Sequence, residues 1–524
     1  MIRALLLMLV LAGCQAAGAN GPIGFATETI LDHRIAGETD VEVPAESGRD
    51  YYGEIDLDIT IGPDGAVTDA RVAKNGNYAK QDPKPALAAA RALRFRPFTY
   101  RGRPVAALGN VRINYVAGGK GGWRDPDAAL PPIDYATLKI SLSRSVCYGP
   151  CPAYDVSIDG AGNVIFTGAK GGPEQGGVLL PGVRRAKIDR ATLDGLIEKF
   201  RAVHFFGLKP EYRAGVTDSV TTITRFESGG KSWAVEDYVG VMAGMPAAVD
   251  ALEDAIDAAA GTVRWTTGDE RTVPGLLAEG FDPRSEEAER IAGVSSLHGD
   301  GRAALDLIAA GMPLDRGKHP PGATLLESAA LQGQPALFAA LAAKGWLKRL
   351  PKAQLDDLFA RSGGGCDPAT ARAMVEAGAD PNARTAPQSD SYSGARKTAL
   401  MIALDPYSCR RSRPSLAQVN ALLALGADLN ALDDQGRTAI YGVEDPDLLE
   451  RLLAAGARAD IKDKDGNSPA FGSWTDVIVL RLLDAGADPH GFYGERGDKT
   501  PLRKMAQERP MPGVLAWLDA RGIP

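Results

Sequence analysis

The chain has little of what usually carries enzyme chemistry. Its 524 residues include only five histidines and five cysteines. His33, His204, His298, His319 and His490 are scattered, and each reads as a surface or capping residue rather than a ligand. No G-x-S-x-G elbow, H-E-x-x-H pair, G-x-x-x-x-G-K-S/T loop or post-strand G-x-G-x-x-G occurs, so the sequence contains no catalytic constellation of those kinds. A net charge of −7 is slight and acidic, which gives no basic face for nucleic acid. Beyond the first 13 residues no apolar run approaches the ~20 residues needed to span a bilayer. What remains is a soluble globular composition, 44% apolar and 24% charged. A chain this long exceeds one ordinary core, so two to four domains are expected.

The N-terminus reads as a targeting segment. One positive charge at Arg3 precedes the apolar run Ala4 to Ala12, too short for a stable transmembrane helix and of signal-peptide length. The run ends in Leu11-Ala12-Gly13-Cys14, which resembles a bacterial lipobox at all four positions. The resemblance implies cleavage after residue 13 and lipidation of Cys14; an ordinary secretory signal is the alternative. Gln15 rather than Asp after the cysteine implies the outer membrane, with the mature chain in the oxidising periplasm. More than one acyl chain is needed for stable anchoring, and a lipoprotein cysteine carries enough of them.

Three regions follow. From Tyr51 to Val116, Ile55, Leu57, Ile59 and Ile61 alternate with polar residues, the mark of a half-buried strand. A Gly62-Pro63-Asp64-Gly65 turn, a return strand to Val72, a helix from Lys84 to Arg94 and an alternating Val111, Ile113, Tyr115 complete a β-β-α-β order. The stretches GEIDLDITIGPDGAVTDARV, ALAAARALRFRPFTYRGRPV and VRINYV resemble the C-terminal domain of TonB-type energy transducers. The departure lies in the anchor, a lipid rather than a transmembrane helix. The resemblance therefore implies a fold that binds a peptide strand or peptidoglycan more than it implies energy transduction. Residues 14–50 read as a tether, 51–117 as this domain and 118–134 as a Gly- and Pro-rich linker.

The second region, 135–262, alternates strands with two amphipathic helices, the first capped by Asp189 and carrying Leu193, Leu196, Ile197 and Phe200. Phe205 and Phe206 read as core. LSRSVCYGPCPAYDVSIDGAGNVIFTG, VHFFGL and TDSVTTIT resemble an exported bacterial family of unknown function, a resemblance that implies no activity. The third region, 270–524, repeats a Leu-Leu-x-x-Gly pattern. Its glycines at 280, 311, 345, 378, 426, 456, 486 and 522 are spaced by 31, 34, 33, 48, 30, 30 and 36 residues. With GADPNA, GADLNALDDQGRTAI and GDKTPL, this resembles ankyrin repeats, whose period is near 33. The 30-residue units are short by about one helical turn. The 48-residue gap predicts an insertion, roughly Ala386 to Pro414, as a protruding loop and first candidate for partner contact. The expected architecture is two small α+β domains followed by an all-α ankyrin-type solenoid.

Few residues are left to carry chemistry. Asp463-Lys464-Asp465-Gly466-Asn467 begins like a calcium loop, but the twelfth position is Trp474, so a hairpin turn is expected. Asp218 precedes a strand and is the one acid of the middle domain retained, facing Cys147 or Tyr154, with capping its bland alternative. Lipidation of Cys14 leaves four cysteines, Cys147 and Cys151 in one domain, Cys366 and Cys409 in another. Pro150 and Pro152 exclude a regular helix at the first pair, and a straight strand would hold the two Cα atoms about 13 Å apart. A disulfide therefore needs a turn, which Gly149-Pro150 can supply; a metal site or a redox centre are the alternatives. Cys366 and Cys409 each precede the last helix of consecutive repeats, where a bridge would hold the insertion. The sequence thus predicts a non-enzymatic, lipid-anchored protein on the periplasmic side of a Gram-negative outer membrane. It has no cofactor or metal and binds an unidentified envelope protein. The alternatives are a TonB-like transport component that takes a receptor peptide by strand addition, and an uncharacterised enzyme in the middle domain.

Overall fold

In a computed structural model of the chain, residues 21–44, 54–73, 82–118, 122–149, 151–171, 176–387, 395–405, 415–493, 500–509 and 511–524 are described. The strand Glu54–Ile61 alternates as its sequence demands, with Ile55, Leu57, Ile59 and Ile61 buried and the acids outward. It pairs antiparallel with Val67–Val72 on one side and Ala107–Gly118 on the other. The helix Lys84–Ala92 lays Ala86 and Ala90 on this sheet.

Residues assigned to a tether belong to this domain instead. Ile23–Gly24 and Asp40–Pro44 both add to Ala107–Gly118 as parallel strands, and the helix Thr27–His33 lies between them. The reason is apolar area: Ile23 and Ile30 are fully buried, and Phe25 packs on Phe98 with ring centroids 4.7 Å apart. Gly109 permits the approach, since a Cβ there would stand 2.3 Å from Ile30 Cγ1. These residues are too few and too irregular in pattern to declare a strand or helix by period alone.

The middle domain is a seven-stranded sheet in the order Gly182–Lys187, Asn163–Gly168, Tyr154–Asp159, Lys139–Arg144, Thr222–Ser228, Lys231–Tyr238 and Glu211–Arg213, antiparallel except for the last pair. The helices Arg190–Ala202 and Ala247–Ala260 pack together and bury Leu193, Leu196, Val249, Leu252 and Ile256. Asp189 caps the first, its side chain accepting from Thr192 N at 2.8 Å. Phe205 is fully buried and Phe206 packs partly buried against the same core. The expected linker is fastened down: Trp123 Nε1 donates to Val203 O at 2.8 Å.

The rest is helical. Pairs such as Glu286–His298 with Arg302–Ala309, and Pro321–Leu331 with Pro335–Ala343, stack along the chain. The second helices end alike. Gly311, Gly378, Gly426, Gly456 and Gly486 all have φ between 94° and 106°, the left-handed cap that glycine adopts without a Cβ penalty. The short units show how they lose a turn: their first helix shrinks to the 3-10 turns Ala439–Gly442 and Pro469–Phe471. The 48-residue gap is only partly an insertion. Thr398 caps a helix Ala399–Ala403 whose Ala399, Leu400 and Ala403 are buried, so residues 398–403 are part of the helical core rather than loop; 388–394 and 406–414 lie outside the described residues. Asp463 makes the expected turn, its Oδ1 accepting from Asp465 N at 3.0 Å and Asn467 N at 2.9 Å.

Both ends of the helical array are covered by the β-rich domains. Leu179 and Leu180 N–H donate to Thr266 and Trp265 carbonyls at 2.9 and 2.8 Å at its start. At its far end Asp476, only 2% exposed, accepts from Gly24 N, Gly513 N and Val514 N at 2.9, 2.9 and 2.8 Å. Asp484 accepts from the Tyr100 hydroxyl and pairs with Arg101 at 2.5 Å. Terminal repeats of a stacked array need their outer face covered, and here folded domains do so.

Candidate functional site

A constellation of ionisable groups stands beside the disulfide turn of the middle domain. Cys147 and Cys151 are bonded, with Cα atoms 5.6 Å apart, a separation only a turn allows. Gly149 N donates to Cys147 O at 3.0 Å, and Tyr148 N to Asp218 O at 3.2 Å. The turn carries Tyr148 into solvent, 90% exposed, next to exposed Val146. For a loop this small the bond contributes about 2 kcal/mol. The Cys147→Ser/Cys151→Ser variant is therefore expected to lose about that much in denaturant unfolding. An unchanged midpoint would show that the loop is held by its neighbours.

Below the turn is a cleft of about 580 Å³ lined by Cys147, Cys151, Asp218, Asp237, Asp250 and Glu253 among others. The strand Lys139–Arg144 places Arg144 directly opposite Tyr154 and Thr222 on its neighbours. Arg144 reaches Asp257 at 3.0 Å, and Asp257 also accepts from Tyr154 and Thr262 hydroxyls at 2.6 and 2.8 Å. Asp218 meets the cysteine turn through its backbone carbonyl, while its carboxylate accepts from the Thr217 hydroxyl at 3.0 Å and Tyr154 is committed to Asp257.

Three further acids crowd the cleft. Asp237 accepts from Gly240 N and shares a hydrogen bond with Asp250; Glu253, 2% exposed, accepts from Thr224 Oγ1 at 3.2 Å. Oxygens of Asp237, Asp250 and Glu253 lie within 4.8 Å of one another, the one such grouping among the described residues. Burial, and then mutual repulsion with Asp237 first, holds Asp250 at about 6 and Glu253 at about 8. Burial likewise raises Asp237. At neutral pH the cluster keeps a proton on Glu253 and can release one near physiological pH, the property wanted of a general acid or base. The same three residues are those that could hold a cation, in competition with that proton.

Sequence reading singled out Asp218 and the cysteines but missed Arg144, Asp237, Asp250, Glu253 and Asp257. One signal was present. Asp250, Glu253, Asp254 and Asp257 fall at i, i+3, i+4, i+7, an acidic stripe along a helix.

Residues 138–260 match a family model described as a domain of unknown function, DUF6438. Residues 45–117 match the Gram-negative bacterial TonB protein C-terminal. The chain therefore holds a TonB C-terminal domain followed by a DUF6438 domain, and the first points to the Gram-negative cell envelope. No curated protein matches the chain. The acidic cleft lies wholly within the DUF6438 domain. No described helix is long and apolar enough to cross a membrane. Of the remaining sequence candidates, Cys366 is disulfide-bonded. Cys14 and Cys409 lie outside the described residues.

Proposed function

We propose that this is a lipid-anchored envelope protein that binds a partner protein through an ankyrin-type array, without catalysis. It faces the periplasm from the outer membrane. The observation that carries the reading is the recurrence of one turn. After each of the helices Pro368–Glu376, Leu416–Ala424, Pro446–Ala454 and Asp476–Asp484, glycine adopts left-handed φ and the next alanine N–H returns to a carbonyl five residues back. Side chains tie successive turns: Asn382 Oδ1 accepts from Asp428 N at 2.7 Å, and Asn430 Oδ1 from Arg458 N at 2.9 Å. Such arrays present loop rows and an extended surface to proteins.

Crosslinking of the full chain in intact envelopes tests this. Exposed Leu432 and Phe492 lie at equivalent positions, six residues after Gly426 and Gly486, in two loops with the Gly456 loop between them. Leu432→Asp/Phe492→Asp is expected to abolish capture of a specific partner; capture insensitive to array substitutions counts against the reading. The anchor has its own test. Cys14→Ser is expected to move the protein from the membrane fraction to the soluble one, and unchanged fractionation would sink the lipid assignment.

In the transport alternative a receptor peptide adds to the TonB-like sheet. Ala107–Gly118 is already paired to Ile23–Gly24 and Asp40–Pro44, so among the described residues the outer strands are these two short segments on one side and Val67–Val72 on the other. A role in catalysis for the middle domain is favoured by one observation, the acidic cleft.

A further inference from the structure

The acidic cleft of the DUF6438 domain has a charge balance that selects its ligand. Five of the residues lining it are acids, Asp218, Asp237, Asp250, Glu253 and Asp254, and one, Arg144, is basic. Arg144 is already committed: its guanidinium holds Asp257 at 3.0 Å and donates to Thr222 Oγ1 at 3.1 Å. Three of the acids converge. Asp237 comes from the end of the strand Lys231–Tyr238, and Asp250 and Glu253 come from the helix Ala247–Ala260. An oxygen of each lies within 4.8 Å of the other two. Oxygens bound about 2.3–2.6 Å from one calcium ion stand no farther apart than this. Val239, a β-branched residue at φ 53°, turns the chain so that Gly240 N–H returns to Asp237 and fixes that carboxyl. A second observation is independent of the charge count. Glu253 is 2% exposed, and buried side-chain polar atoms ordinarily have a partner. One of its oxygens accepts from Thr224 Oγ1 at 3.2 Å; among the described residues the other has no donor, and Glu253 lines the cleft.

We propose that Asp237, Asp250 and Glu253 form a binding site for one calcium ion. The donor set decides the class of metal. All three are carboxylates, no histidine lines the cleft, and the sulfurs of Cys147 and Cys151 are bonded to each other. Oxygen donors alone suit a hard cation and not zinc or copper. Calcium tolerates irregular geometry, whereas magnesium demands near-octahedral geometry and gives up its water reluctantly. The cleft, about 580 Å³, has room for the waters that complete a sphere of about six to eight oxygens. The ion displaces the proton of Glu253 to solvent and relieves the repulsion among the three groups. It also ties the end of the strand to the helix beneath the disulfide turn. No motif in the sequence announces this ligand. The site belongs to the DUF6438 domain alone and stands whether or not the helical array binds a partner.

Calorimetric titration tests this. The full chain, stripped with a chelator, is titrated with calcium chloride at constant ionic strength. One saturable site is expected, with a dissociation constant on the order of 0.1–1 mM, the range of extracellular calcium modules. Asp250→Asn/Glu253→Gln is expected to weaken binding by about tenfold or more, because affinity follows the number of charged ligands. Asp254→Asn removes an exposed acid of the same cleft from outside the three, and is expected to change the affinity by less than about twofold, since solvent screens it. Circular dichroism in chelator checks that each variant folds. Asp250 is exposed, so Asp250→Asn alone carries the test where the double variant does not fold. No saturation by about 10 mM overturns the proposal. So does a double variant that binds like the parent, or an Asp254→Asn variant that loses as much as the double one, since either means diffuse attraction rather than a site.

Discussion

Replacing Asp476 by alanine is expected to cost about 3–5 kcal/mol and to loosen the N-terminal strand from the end of the array. The carboxyl is 2% exposed and accepts three backbone N–H groups: Gly513 and Val514 open the final helix, and Gly24 lies 452 residues earlier in the chain. Alanine leaves all three donors without an acceptor in a place water does not reach, at about 1–3 kcal/mol each before relaxation. Asparagine keeps one acceptor oxygen but turns an NH₂ toward an N–H, so Asp476→Asn should fall between the two. Burial pushes the Asp476 carboxyl up to about 6, against the three donors that pull it down. Urea unfolding gives the magnitude, and amide exchange gives the place. Faster exchange at Gly24 and Val514 together is the expected pattern. A loss under about 1 kcal/mol with Gly24 still protected would mean that Asp476 does not hold the two ends together.

Glu253→Gln is expected to stabilise the middle domain above pH 8 by about 2–4 kcal/mol and to change little below pH 4.5. Burial and then Asp237 raise the folded pKa of Glu253 from 4.5 to about 8, so the fold binds the proton more tightly than the unfolded chain. That contribution is whole below pH 4.5 and is lost as pH rises through 8. Asp250 acts in the same sense over a narrower window, from 3.8 to about 6. The parent domain should therefore lose stability steadily from about pH 4 to 8, and the variant should lose less. The carboxamide oxygen can still accept from Thr224. Parallel pH profiles for parent and variant would place the proton elsewhere.

The features legible in the sequence were those that repeat. Ile55 to Ile61 alternate, Leu193 to Phe200 recur every helical turn, and the array glycines return near a fixed period; each appears as an element with the expected burial. What escaped was set by contacts distant in sequence. Ile23 and Ile30 sit in a short polar-looking stretch and are buried only because Ala107–Gly118 lies beside them. Glu253 looks like the exposed face of an amphipathic helix, yet the sheet carrying Thr224 closes over it. The Cys147–Cys151 turn was legible because turn chemistry is local, whereas the cleft beneath it joins three strands and a helix.

The hydrogen bond from Gly24 to Asp476 sets a condition on biosynthesis. The two residues lie 452 positions apart, so the outermost strand of the first domain gains its last partner only once the far end of the helical array has formed. A product truncated before Asp476 keeps that strand's N–H unsatisfied and the array's end bare, an open edge for proteases. The seam between the first domain and the far end of the array thus closes only when both are folded.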